Sequence, residues 1–125
     1  LCLGQAFREA LGDRAGIMRM ASAYCPMDES LALVTIDFSG RPYCITKIAW
    51  NSPTTGSIPT SLFNHFLQSF SSEARCNLHV QVLYGEDDHH QAEAIFKALA
   101  RAMNAAVQID PRRSGFIPSS KGKLF

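Results

Sequence analysis

The sequence has almost no surplus of either charge: 12 Lys and Arg stand against 11 Asp and Glu, for a formal net charge of +1. A chain without a net field has no general attraction for nucleic acid or an anionic membrane surface. It also lacks the interleaved aromatic and basic residues of a nucleic-acid groove, so neither partner is expected. The four cysteines (Cys2, Cys25, Cys44, Cys76) show no Cys-x-x-Cys spacing. They read as small buried hydrophobes in a reducing, cytoplasmic setting. No apolar run approaches membrane-spanning length, and neither a signal-peptide pattern nor a low-complexity tract is present. The first apolar residues (Leu3, Phe7, Ala10, Leu11) fall at helical spacing with no Met and no capping residue ahead of them. An upstream segment is therefore expected before Leu1.

What is present suits one compact domain. The 125 residues are 46% hydrophobic and 18% charged, enough apolar material for a core. The apolar spacing predicts a helix over Leu1–Leu11, stopped by Gly12. Residues 13–30 read as irregular. Leu31–Phe38 reads as a strand with Val34, Ile36 and Phe38 on one face. Ser39-Gly40-Arg41-Pro42 reads as a turn, and Tyr43–Trp50 as a returning strand. A loop over 51–58 precedes an amphipathic helix over Thr60–Glu73, capped by Thr60 or Ser61. Cys76–Tyr84 alternates strictly and is the clearest strand. A long helix follows, capped by Asp87 or Asp88 and running to about Ala106, and then an extended tail from Gln108 to Phe125. Strand, strand, helix, strand, helix predicts an α+β layer with two helices on a small sheet.

The chemistry gathers at Asp88-His89-His90-Gln91-Ala92-Glu93 and Lys97. At about 100° per residue, Ile95, Ala98, Leu99, Ala102 and Ala106 form the core face. His89, His90, Glu93 and Lys97 share the opposite face, within an arc of roughly 100°. Two imidazoles and a carboxylate so placed suit a divalent transition ion, and Lys97 is placed to meet a substrate oxygen. A solvated, well-capped helix face is the bland alternative. One helix supplies only part of a coordination shell, so a metal site here is expected to be shared across an interface. His65, on the edge of the preceding helix, is a further candidate ligand. Arg19 and Arg41 each suit a phosphate, and Ser119-Ser120-Lys121-Gly122 could add donors to the same anion.

Taken in order, several stretches resemble the imidazoleglycerol-phosphate dehydratase family. They are Leu3-Gly4-Gln5-Ala6-Phe7, Pro26-Met27-Asp28-Glu29-Ser30, Ser39-Gly40-Arg41-Pro42-Tyr43, His65-Phe66-Leu67-Gln68-Ser69-Phe70, Leu78-His79-Val80, Asp88-His89-His90-Gln91-Ala92-Glu93, Phe96-Lys97-Ala98-Leu99 and Pro118-Ser119-Ser120-Lys121-Gly122. The resemblance implies a fold like the second domain of ribosomal protein S5, built as two similar halves, each a small sheet backed by two helices. Residues 1–30 would be the remnant of the first half, a helix plus connecting loop. Residues 31–125 would be the second half-domain with its C-terminal tail.

It further implies a lyase of histidine biosynthesis that dehydrates D-erythro-imidazoleglycerol phosphate to imidazole-acetol phosphate. Two Mn2+ ions per active site and a homo-oligomer of 24 subunits, with active sites between subunits, come with it. On this sequence it implies His65, His89, His90 and Glu93 as metal ligands and Glu93 and Lys97 as catalytic groups. Arg19, Arg41, His89, Lys97, Ser119, Ser120 and Lys121 would bind substrate. The family's other His-His-x-x-Glu would lie upstream of Leu1, so the residues given build part of that site. An inactive metal-binding fragment and a metal-dependent hydrolase of another phosphorylated metabolite are the rival expectations.

Overall fold

The computed structural model describes residues 1–124. Helix α1 spans Cys2–Leu11 and is followed by strands β1 (Met20–Met27), β2 (Ser30–Asp37) and β3 (Tyr43–Lys47). A two-rung hairpin, β4 (Thr54–Thr55) and β5 (Ile58–Pro59), leads into helix α2 (Ser61–Ala74). Strand β6 (Asn77–Tyr84) and helix α3 (Asp88–Val107) complete the fold. The main sheet has the order β1-β2-β6-β3, antiparallel except where β3 runs parallel to β6. Parallel strands need a crossover, and α2 supplies it.

The expected α+β architecture is present. Val34, Ile36, Phe38, Leu78 and Val80 on one sheet face meet Leu67 and Phe70 of α2 and Ile95, Ala98, Leu99 and Ala102 of α3. Each such buried large apolar side chain contributes about 1.5–3 kcal/mol relative to exposure. α1 rests on α2. A Cβ on Gly4 would come within 2.7 Å of the Glu73 Cβ and 2.8 Å of the Phe70 carbonyl oxygen, so this close crossing requires glycine. Arg14, 1% exposed, donates to the carbonyls of Phe38 (2.8 Å), Ala74 (2.8 Å) and Arg75 (2.9 Å). It thereby closes the C-terminal end of α2 against the end of β2.

Several sequence expectations change. Residues 13–30 are not wholly irregular: Met20–Met27 is the edge strand β1, paired along its length with β2. The sheet therefore starts at Met20, ahead of Leu31. Pro26 and the small residues Ala21, Ser22 and Ala23 weaken the strand signal, and an edge position tolerates them. The strand expected to reach Trp50 stops at Lys47. Trp50 turns instead to α2, where its Nε1 donates to Asn64 Oδ1 at 2.9 Å. Thr60 occupies the cap position of α2, but its side chain makes no bond to the helix amides. Its hydroxyl holds the preceding loop through the carbonyls of Ser52 and Pro53.

The tail is not extended. Asp110 N donates to Gly16 O and Gly16 N to Phe116 O, both at 2.7 Å, folding residues 109–118 back along 16–19. The last residue of that expectation, Phe125, lies outside the described residues. Cys25 and Cys76 are buried as expected, Cys44 is half-buried and Cys2 is exposed. Burial pushes the Cys76 thiol up to about 12, so it is an inert core group. Among the described residues no helix is long and apolar enough to cross a membrane.

Candidate functional site

The N-terminus of α3 is set by two adjacent aspartates with different tasks. Asp87 is the cap: its Oδ1 accepts from His89 N (2.8 Å) and His90 N (3.1 Å). Asp88, 8% exposed, accepts from Asn51 N, Asn51 Nδ2, Ser52 N and Gln91 Nε2 at 2.8–3.1 Å, tying the 51–52 loop to the helix. The approach to the helix passes Gly85. A Cβ there would meet Ser30 Oγ at 2.5 Å and Gln91 Cγ at 2.7 Å. The β1–β2 turn and the start of α3 can therefore touch only across a glycine.

That contact places the outward face of α3. His89 Nε2 lies 3.6 Å from Glu93 Oε2, and Lys97 Nζ donates to Glu93 Oε1 at 2.7 Å, so the three form a row along the helix. Lys97 pulls the Glu93 carboxyl below its ordinary range, with a smaller pull from the histidines, and Glu93 is ionised at neutral pH. His90 turns aside. Its Nδ1 lies 2.7 Å from Glu29 Oε2 and its Nε2 3.8 Å from Asp28 Oδ2, both carboxylates belonging to the β1–β2 turn. The second oxygen of Glu29 accepts from the amides of Asp87 (2.8 Å) and Glu86 (3.1 Å) and from the Ser30 hydroxyl (3.0 Å). The Asp87 amide foremost, then His90, holds the Glu29 carboxyl far below its ordinary range, and Glu29 raises His90 in return. A shallow cavity of about 330 Å³ beside the row is walled by Ile58, Phe63, Ala92 and Phe96 and edged by His89 and Glu93.

His65 stands exposed on α2. Among the described residues no three His, Cys, Asp or Glu side chains converge as a cation cage. The structure thus brings His89, Glu93 and Lys97 into one row, sets His90 beside them, and does not bring His65 into a shared cage.

The other candidate residues meet at the opposite end of the sheet. Arg19, Ser39, Arg41, Ser119, Lys121 and Lys123 line a cavity of about 210 Å³. Arg19 is held rather than loose: Nε and Nη2 donate to Asp37 at 2.6 and 3.0 Å, and Nη1 donates to the Pro118 carbonyl at 2.7 Å. The Ser119 hydroxyl accepts from Lys121 N (3.2 Å) and keeps its own proton to donate. Ser120 is exposed and does not line the cavity. Ser39 here and Asp28 and Glu29 at the helix end stand outside the candidate residues read from the sequence, whereas Lys123 belongs to the basic C-terminal group that suits a solvated tail about as well as an anion site. Glu29 stood in one of the quoted stretches, but its partner His90 is 61 residues away, a distance no local pattern reports.

Fold and side chains together give an α+β unit with imidazole and carboxylate groups at one end and a basic, hydroxyl-lined cavity at the other. The chain belongs to the imidazoleglycerol-phosphate dehydratase family, whose family model matches residues 1–103. Over 124 residues it is 54% identical to an imidazoleglycerol-phosphate dehydratase of Dehalococcoides mccartyi, a match covering 99% of this chain and 63% of the relative. The corresponding protein of Zymomonas mobilis is 51% identical over the same length, again with 63% of the relative covered. The crystal structure of the dehydratase from Staphylococcus aureus superposes with a TM-score of 0.84 at 35% identity, over 87% of this chain and 64% of that one. The structure from Pyrococcus furiosus gives 0.85 at 33% identity, over 98% and 65%. The chain therefore spans a little under two thirds of the length of these relatives.

Proposed function

We propose that this chain is the larger part of a hydro-lyase of histidine biosynthesis. The intact protein dehydrates D-erythro-imidazoleglycerol phosphate to imidazole-acetol phosphate in the cytoplasm, with two Mn2+ ions per active site. The observation that carries this reading is the outward row His89, Glu93, Lys97 with His90 beside it, together with the basic pocket at Arg19 and Arg41.

The donor set fits the implied metal in part. Imidazole nitrogen and ionised carboxylate are the ligands a divalent transition ion takes, and His89 and Glu93 stand close enough to share one. They do not make a whole shell. His65 and donors from outside the described residues would complete it. When bound, the metal supplies Lewis acidity toward the substrate and a template for its orientation.

The chain's own residues then divide the work. Glu93, ionised and braced by Lys97, acts first as a ligand. Lys97, one turn along, presents an ammonium to a substrate oxygen and, with Glu93, is a proton carrier in the elimination. Arg41, Ser119 and Lys121 hold the phosphate, and Arg19 positions that pocket and adds charge to it.

Distance supports a shared active site. Glu29, which holds His90, precedes β2, whereas Asp37, which holds Arg19, ends it. Eight residues of strand span about 25 Å at 3.3 Å each. α3 covers the same path in 20 residues, about 30 Å at 1.5 Å each. No molecule with a three-carbon backbone between ring and phosphate reaches that far. This separation supports an active site whose metal row and phosphate pocket come from different copies, or from this chain and the rest of its protein. A homo-oligomer of 24 subunits with interfacial active sites is the proposed solution. α1, lying on α2 through Gly4, is in this reading the last helix of a preceding half, and the second half, expected from residue 31, starts with β1 at Met20 and runs on through the tail.

One observation favours a second reading for the 125 residues alone. Because no three ligands converge among the described residues, the isolated chain is in this reading an inactive fragment that binds metal weakly. The test is incubation of full-length protein and Mn2+ with imidazoleglycerol phosphate. Formation of an enolisable ketone without free phosphate supports the dehydratase, whereas release of inorganic phosphate identifies a hydrolase.

A further inference from the structure

His90 has two ring nitrogens, and the structure uses them differently. Nδ1 faces Glu29 Oε2 at 2.7 Å, while Nε2 is turned away from that carboxylate, with Asp28 Oδ2 at 3.8 Å. Glu29 is also fixed from behind: three donors, Ser30 Oγ and the amides of Glu86 and Asp87, converge on its Oε1. An ionised carboxylate only accepts hydrogen bonds, so the proton in the Glu29–His90 contact sits on Nδ1. A neutral imidazole carries one N–H, which leaves the lone pair on Nε2.

The geometry points to Glu29 as a positioning residue that fixes the tautomer and ring orientation of His90, so that Nε2 is presented to a divalent cation. The inference rests on the reading of His90 as a metal ligand. It adds a residue from the β1–β2 turn, far from α3 in the chain, and gives it a distinct task. Carboxylates behind ligating histidines commonly do this work, and losing one lowers metal affinity by about 10–100-fold.

The two oxygens of Glu29 separate this role from that of a simple clamp. Oε1 joins the turn to the helix start, and Oε2 orders the imidazole. Glu29→Gln keeps an acceptor for the amides but points an NH2 donor at Nδ1. That forces Nδ1 to accept, moves the proton to Nε2 and blocks its lone pair. Glu29→Asp keeps a carboxylate while shortening the reach. A clamp needs reach and tolerates Gln better than Asp. An imidazole-ordering group needs the acceptor and tolerates Asp better than Gln.

The experiment uses full-length protein, with Mn2+ affinity by calorimetric titration and the tautomer by solid-state 15N spectra of histidine-labelled, metal-free samples. The expected result is an Nδ1–H His90 in the wild type and Nε2–H in Glu29→Gln. Mn2+ affinity should fall about 10–100-fold in Glu29→Gln and less in Glu29→Asp. An Nε2–H His90 in the wild type, or Mn2+ affinity in Glu29→Gln equal to or above that of Glu29→Asp, overturns the inference. A wild type with the Nδ1–H tautomer that takes up no Mn2+ overturns the metal reading itself, and the inference falls with it. Should Glu29→Gln fail to fold, the wild-type tautomer and the Asp variant still decide: full wild-type affinity with an Nε2–H ring in Glu29→Asp would sink it.

Discussion

Lys97 donates to Glu93 across one turn of α3 at 2.7 Å, and this leaves the second oxygen of Glu93 facing His89 at 3.6 Å. The ammonium keeps the carboxylate ionised and aimed, while the exposed oxygen stays available. Glu93→Gln should therefore lower Mn2+ affinity and dehydration turnover of the intact protein, each by roughly tenfold or more. The unfolding midpoint should barely move, because the row is exposed and surface pairs contribute little. Metal content by mass spectrometry and ketone formation check this, and normal values of both would remove Glu93 from the site.

The contact between Glu29 and His90 gives stability a defined pH window in the metal-free protein. Glu29 lies below its ordinary value of 4.5, so its contribution is present above that pH and is lost as pH falls further. His90 lies above its ordinary value of 6.5, so its contribution is present below that pH and is lost as pH rises. The difference in Tm between wild type and Glu29→Gln should be largest between pH 4.5 and 6.5 and should shrink on both sides. Thermal melts across this range test it; a difference that is flat with pH would contradict the ionic pairing.

Gly85→Ala tests the approach of the β1–β2 turn to α3. Its new methyl would lie 2.5 Å from Ser30 Oγ and 2.7 Å from Gln91 Cγ. Overpacking of this kind costs about 1–3 kcal/mol. Urea unfolding should show that loss, and Mn2+ affinity should fall in the variant that does fold, since Glu29 and His90 are pushed apart.

The two arginines of the anion pocket should behave differently. Arg41 sits exposed at the rim, whereas Arg19 is pinned to Asp37 and the Pro118 carbonyl. Arg41→Ala should raise KM for the phosphorylated substrate by about tenfold, the worth of roughly 1.4 kcal/mol, with Tm nearly unchanged. Arg19→Ala should raise KM and also cost about 1–3 kcal/mol of stability, because it leaves Asp37 without its partner. Steady-state kinetics with melts of both variants separate the roles. Equal effects on Tm would mean that both side chains are structural.

The parts of this fold written in local periodicity were legible in the sequence. Ile95, Ala98, Leu99, Ala102 and Ala106 are all buried on α3, as a 3.6-residue period requires. The row His89, Glu93, Lys97 followed from the same helical period, and β6 from the two-residue alternation of a strand. β1 escaped because its strand signal is diluted by Ala21, Ser22, Ala23 and Pro26, and its pairing with β2 supplies what propensity does not. The separate fate of His90 escaped for another reason. It shares the helix face of His89 by angle, but Glu29 draws its ring toward the turn. The fold-back of residues 109–118 is held largely by backbone hydrogen bonds, which leave no side-chain pattern to read.

The central claim is that the outer edge of α3 supplies part, and only part, of a manganese site. Anomalous scattering at the manganese edge, from crystals of the full-length assembly saturated with the metal, tests it most directly. The account predicts peaks at bonding distance from His89, His90 and Glu93, with the remaining donors contributed by residues beyond that helix. Full metal occupancy at some other place, with those three side chains facing only water, would contradict it.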